Sequence, residues 1–234
     1  MTRLFVLRPG QPGHDLANML TNQNFQARHA PSLAIKPQSF SLPNNTYDYV
    51  IFISPTAVTS AEAAVLELCA NADGCIAVGS GTAAELQRIG ITDTLVPEEF
   101  NSEGLLAMPD LQDIDQKRVL LVKGVGGRKL LADTLRDRGA ACDLLDVYER
   151  VTQTINQSDW QWYLAGENRG ITSASIETLE AFEQQRKAGD YPLPNFILVA
   201  SDRIAETAEA LGYTNIHNVG GAANQYFANA LLDH

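Results

Sequence analysis

The chain is short of cysteine, of histidine and of long hydrophobic runs, and each shortage removes a class of protein. Three cysteines, Cys69, Cys75 and Cys142, stand among 234 residues. They are odd in number and form no CxxC pair, so the expectation is reduced thiols acting as small hydrophobes in a cytoplasm. Four histidines, His14, His29, His217 and His234, lack the spacing of metal ligands, which speaks against a metal site. The first apolar run, Leu4–Leu7, is too short for a signal peptide. No segment approaches the ~18 apolar residues of a membrane span. Positive charge is scarce too: 17 Lys and Arg face 28 Asp and Glu, for a net charge of −11. Nucleic-acid binding asks for a basic face, and this balance argues against it.

What is present is ordinary globular material, 45% hydrophobic and 19% charged. That is enough to fill one large domain or two small ones. Short β-rich runs alternate with helical patterns along most of the chain. "RLFVLRP", "DYVIFIS", "CIAVG", "RVLLVKG", "CDLLDVYER", "RGITS" and "NFILVAS" read as strands. "PTAVTSAEAAVLELCA" reads as one helix opened by Pro55, and "GRKLLADTLRDRG" as another closed by Gly139. The stretch 30–45 holds three prolines with little periodicity and reads as a linker. Alternating β and α implies parallel sheets covered by helices. "IAVGSGTAAELQRIGITDTLV" at 76–96 also resembles "ILVASDRIAETAEALGYTNIHNV" at 197–219, offset by 122 residues. The repeat predicts two similar α/β lobes, Rossmann- or flavodoxin-like, with a cleft between them.

The few cations are concentrated. Residues 117–138 hold seven of them against two acids. One positive element on an acidic chain suggests a specific anionic ligand. Its centre, "KGVGGRKLL" from Lys123 to Leu131, matches neither GxxxxGK[ST] nor GxGxxG, so no nucleotide motif is present. Arg128 and Lys129 stand at a helix start, where the dipole disfavours cations. A bound carboxylate would supply the missing charge. Five strand-end turns, "ISPTAV", "VGSGTA", "VKGVGGRK", "ITSASI" and "VASDRIA", offer helix N-termini and hydroxyls to anions. Taken singly, such Ser and Thr residues are also ordinary helix caps.

The block "GVGGRKLLADTLRDRGAACDLLDVYER", together with "LRPG", "ISPTAV", "VGSGTA", "ITSAS" and "VASDRIAETAEALGY", resembles the uroporphyrinogen-III synthase family in order and over nearly the whole chain. The resemblance implies one discontinuous lobe of about 1–35 plus 153–234 and a second of about 40–148. Linkers near 33–39 and 148–154 would join them. It implies that hydroxymethylbilane, a linear tetrapyrrole with eight carboxylates, is cyclised with ring D inversion and loss of water. No metal or organic cofactor is implied. Tyr148, in "DVYER", becomes the candidate proton donor. Arg8, Ser54, Thr82, Lys123, Gly126, Arg128, Lys129, Thr172, Ser173 and Ser201 become candidate substrate contacts. The partner expected is this small molecule, with no nucleic acid and no membrane, bound by a monomer. The competing reading is a two-lobed anion-binding or sensor module without catalysis. A sugar-nucleotide transferase would want a carboxylate-rich motif that "DLQDID" does not provide.

Overall fold

The computed structural model describes residues 1–127 and 129–232. In chain order it runs β1 (Thr2–Val6), α1 (Gln11–Asn22), β2 (Gln26–His29), β3 (Leu33–Pro37), β4 (Tyr47–Phe52), α2 (Pro55–Ser60), α3 (Glu62–Ala70) and β5 (Ala72–Ala77). There follow α4 (Ser80–Arg88), β6 (Thr94–Leu95), α5 (Ser102–Ala107), a 3-10 turn at Pro109–Leu111, β7 (Arg118–Gly124), α6 (Leu130–Asp137) and β8 (Ala141–Thr152). The last part is α7 (Gln157–Leu164), β9 (Asn168–Ser173), α8 (Ile176–Ala188), β10 (Phe196–Val199), α9 (Asp202–Ala210), β11 (Ile216–Asn218) and α10 (Asn224–Leu232). The chain divides into two compact units, Met1–Ile35 with the stretch from Val151 onward, and Lys36–Arg150.

The fold is α/β with two sheets. The first unit's sheet has the order β11-β10-β9-β1-β2, and the second sheet the order β3-β8-β7-β4-β5-β6. The pairings β1 with β2 and β9, and β4 with β5 and β7, are all parallel. Without β3, the second order reversed is β6-β5-β4-β7-β8, which matches the first sheet strand for strand. The internal repeat is therefore real architecture: β5 and β6 stand in their sheet where β10 and β11 stand in theirs. Central strands are buried along whole runs, Leu4–Leu7 in β1 and just beyond it, Val119–Val122 in β7, Phe196–Val199 in β10. Such continuous apolar runs are what a sheet covered on both faces requires.

Each unit packs its own core. In the first, Phe5 stacks on Tyr163 at 4.2 Å and meets Trp160 edge-on at 5.7 Å, while Trp160 stacks on Tyr191 at 4.3 Å. Phe5 comes from β1, Trp160 and Tyr163 from α7, and Tyr191 from the loop after α8; α7 is a helix that sequence periodicity did not reveal. Asn156 starts it by accepting the Asp159 amide hydrogen. Glu183, buried in α8, accepts two hydrogen bonds from Arg186 and one from the Tyr213 hydroxyl, so the buried charge is compensated on every side.

Four expectations are corrected. The proline-rich stretch contains β3, seated at the edge of the second sheet, where proline is tolerated. The long helix from Pro55 divides at Ala61, whose φ of −106° and ψ of 10° leave the helical region. Thr59 has turned its hydroxyl to the Thr56 carbonyl there, a competition that bends helices. The helix read from Gly127 begins at Leu130, because Gly126 and Gly127 hold φ of 77° and 82°. Finally, Cys69 and Cys75 form a disulfide, with Cα atoms 5.8 Å apart, and only Cys142 is free. The turn from α3 back into β5 brings the pair together, a proximity their spacing in sequence does not announce. In denaturant without reductant, a chromogenic disulfide reagent should therefore count one thiol per chain, and three after reduction. Three before reduction would show that the bond does not form in the purified protein.

Candidate active site

In the second unit, β5, β4 and β7 are adjacent and parallel, so their C-terminal ends share one rim. In such sheets ligands bind at these ends. Ser54 follows β4 and caps α2, accepting the Ala57 amide hydrogen at 3.0 Å. Its Oγ also lies 3.2 Å from the Tyr148 hydroxyl. Arg150 Nη2 donates to the same phenol oxygen at 3.2 Å and places its guanidinium carbon 5.5 Å from the ring centroid. The Tyr148 side chain is 2% exposed, yet its hydroxyl meets two polar groups at the rim.

Tyr148 reaches this place through an irregularity. Lys123 pairs with Asp146, but Gly124 pairs with Tyr148, so the β7–β8 register slips by one residue. Val147 and Tyr148 are both buried as a result. Bulges of this kind re-aim a side chain. Gly124 makes the new position possible, because a Cβ there would lie 2.6 Å from the ring atoms Cε2 and Cζ of Tyr148.

The other candidates fall into two groups. Around the same rim, Thr82 is buried in the first turn of α4. Lys123 is nearly buried and already paired, donating at 2.8 Å to Asp146 Oδ1 and at 2.8 Å to the Gly124 carbonyl. Gly126 lies in the left-handed turn, and Lys129 sits exposed at the N-cap position of α6. Arg128 lies outside the described residues. In the first unit, Arg8, Thr172, Ser173 and Ser201 end β1, β9 and β10 or follow them directly. Arg8 donates to the Ala222 carbonyl at 2.5 Å and to Asn224 Oδ1 at 3.2 Å. Burial of its guanidinium lowers its pKa from the ordinary value. Thr172 and Ser173 are buried, and the Ser173 hydroxyl donates to the Ser175 carbonyl at 2.9 Å. Ser201 precedes α9 without a side-chain cap bond.

Sequence reading passed over Gly124 and Arg150. The signal for Arg150 was available: period-two alternation in "VYER" places it on the same strand face as Tyr148. Gly124 carries no such signal, since its partner stands 24 residues away in sequence.

A family model described as uroporphyrinogen-III synthase HemD matches residues 14–219. The chain belongs to the uroporphyrinogen-III synthase family. The uroporphyrinogen-III synthase of Proteus mirabilis is 35% identical over 159 residues, covering 63% of this chain and 80% of that one. That of Escherichia coli K12 is 28% identical over 246 aligned positions, covering 97% and 99%. Among solved structures, uroporphyrinogen-III synthetase from Helicobacter pylori superposes with a TM-score of 0.66 at 14% identity over both whole chains. A mutant uroporphyrinogen-III synthase from Thermus thermophilus gives 0.61 at 16%, again over both whole chains. At such identities the superpositions speak for the fold.

The packing of Gly124 under Tyr148 can be tested alone. Gly124→Ala should cost about 1–3 kcal/mol in urea unfolding, the usual range for overpacking. In a Tyr148→Ala background the same substitution should cost far less, since the atoms it strikes are gone. Equal costs in both backgrounds would refute the contact.

Proposed function

We propose that the chain cyclises hydroxymethylbilane to uroporphyrinogen III, inverting ring D and releasing water, in haem biosynthesis. The observation that carries this reading is family membership over residues 14–219. The geometry around Tyr148 agrees with it. Closure requires the terminal hydroxyl of the substrate to leave, and a phenol can supply the proton that makes it water. Tyr148 is oriented by Ser54 and receives a hydrogen bond from Arg150. That charged donor stabilises negative charge on the phenol oxygen as the proton departs, and it is in place before the reaction begins.

The substrate's carboxylates need cations and amide donors. Lys129 is exposed at the rim of the second unit, and Arg128 precedes it in the glycine turn of the sequence. Lys123 contributes less directly, because Asp146 already holds it, so its charge supports the turn that carries the other two. In the first unit, the turns after β1, β9 and β10 offer Arg8, Ser173 and Ser201. Holding a linear tetrapyrrole in one coiled arrangement converts an open-ended closure into a directed one, and positioning supplies much of the catalysis. Among the described residues no helix is long and apolar enough to cross a membrane. We place the working enzyme in the cytoplasm, where the Cys69–Cys75 bond is an exception, and read it as a monomer, which its excess of negative charge supports by keeping copies apart.

Product analysis tests this reading. Purified protein is incubated with fresh hydroxymethylbilane, the products are oxidised, and porphyrin isomers are separated. Spontaneous closure gives the type I isomer, so a dominant type III product is the expected result. Type I alone, at the uncatalysed rate, would overturn the proposal. Because the substrate also loses water unaided, Tyr148→Phe should lower turnover by much less than the ~10²–10⁴ typical of a general acid. Wild-type turnover and full isomer selectivity in that variant would remove Tyr148 from the mechanism.

A further inference from the structure

Phe100 is a large aromatic side chain left 60% exposed. A single exposed aromatic is ordinary on a protein surface, but this one is held in place beside the rim that carries Ser54 and Tyr148. Asn101, next in sequence, caps α5 by accepting the Gly104 amide hydrogen at 2.6 Å, and its own N–H donates to the Glu99 carbonyl at 2.9 Å. Gly104 in turn lies so close to Glu99 that a Cβ there would overlap the Glu99 carbonyl oxygen. The turn that carries Phe100 is thus pinned on both sides.

The ring rests on Gly79, in the strand-end turn between β5 and α4. A Cβ at Gly79 would lie 2.8 Å from Phe100 Cβ and 2.9 Å from Cγ, so only glycine lets the side chain lie this close. From there the rim passes to the neighbouring strand end, because β5 pairs with β4. The Cβ position of Gly81, in the first turn of α4, is 3.7 Å from Pro55 Cγ. Pro55 follows Ser54, and Ser54 meets the Tyr148 hydroxyl. Phe100 therefore ends a strip of neighbouring strand-end turns that leads to the candidate proton donor.

We propose that Phe100 is a substrate contact on which one pyrrole ring of the linear tetrapyrrole stacks. The inference rests on the synthase reading and adds what cations cannot supply. Charged groups hold the carboxylate arms, but the faces of the pyrrole rings are apolar and π-rich. An aromatic platform takes such a face by offset stacking or edge-on contact, at centroid separations of about 4.5–7 Å. Seated at the end of the strip, it sets which ring lies there and so the register of the chain along the rim.

The test compares Phe100→Ala, Phe100→Leu and Phe100→Trp with wild type, by KM, kcat and isomer ratio on hydroxymethylbilane, with thermal unfolding alongside. The alanine and leucine variants should raise KM about tenfold and increase the type I fraction, with kcat changed less than KM. The tryptophan variant, which keeps a π face, should stay close to wild type. Leucine keeps apolar volume on Gly79 while removing the ring, so it separates stacking from packing. Unchanged KM and isomer ratio in both alanine and leucine variants would overturn the proposal. So would KM losses that simply follow lowered melting temperatures. Type I product from the wild type would overturn the synthase reading itself, and this inference with it. Type III from a wild type whose variants are indifferent would remove only the stacking contact.

Discussion

One irregularity in the β7–β8 ladder decides where Tyr148 points. Regular alternation along β8 would set Tyr148 on the face of Asp146, which is exposed, and opposite that of Val147, which is buried. The slip between Lys123 and Gly124 turns it inward, beneath the end of β7 and against Ser54. The proton-donor part of the site depends on this. Ser54 is held by its capping bond to α2, Arg150 follows on the same strand face, and Gly124 yields the space. The bulge costs ladder hydrogen bonds locally, and the buried runs of β4, β5 and β7 hold the sheet around it.

The charged segment plays a subtler part than its composition suggests. Its seven cations look like one anion cradle, yet several of them have structural work. Lys117 pairs with Asp48, Lys123 with Asp146, Arg136 donates to the Cys142 carbonyl, and Arg138 to the carbonyls of Leu106 and Leu111. Long cationic side chains often serve neighbouring carbonyls in this way, as well as distant ligands. Lys129, exposed at the start of α6, is left for an anionic substrate at the strand-end rim, while the exposed Arg118 opens β7 at the strand's other end. Gly126 and Gly127, both left-handed, keep the turn after β7 free of bulky side chains.

The duplicated architecture explains how one chain presents two similar rims. Each sheet, read from β6 or from β11, places its strands in the same spatial order, although β1 and β2 come first in the chain while their counterparts β7 and β8 come late in the second unit. Strand ends with small polar residues recur because each parallel strand must hand over to a helix N-terminus, and short capping side chains make that turn. The same chemistry that caps a helix leaves amide donors facing outward, so a structural requirement and a binding surface coincide.

How much of this was legible in the sequence follows from the range of each interaction. Composition and alternation alone determined the α/β class and parallel sheets, and the repeat pointed to two lobes, because burial on both faces writes continuous apolar runs into local sequence. The block ending in "VYER" led to the family and to Tyr148. Helix α7 was missed because its apolar Trp160 and Tyr163 are separated by residues that mask the period. The Cys69–Cys75 bond, the bulge, the Gly124–Tyr148 fit and the seat of Phe100 on Gly79 were decided only by tertiary structure. Each joins positions through space, and a glycine or a cysteine carries in its own identity no record of the side chain that will come to lie against it.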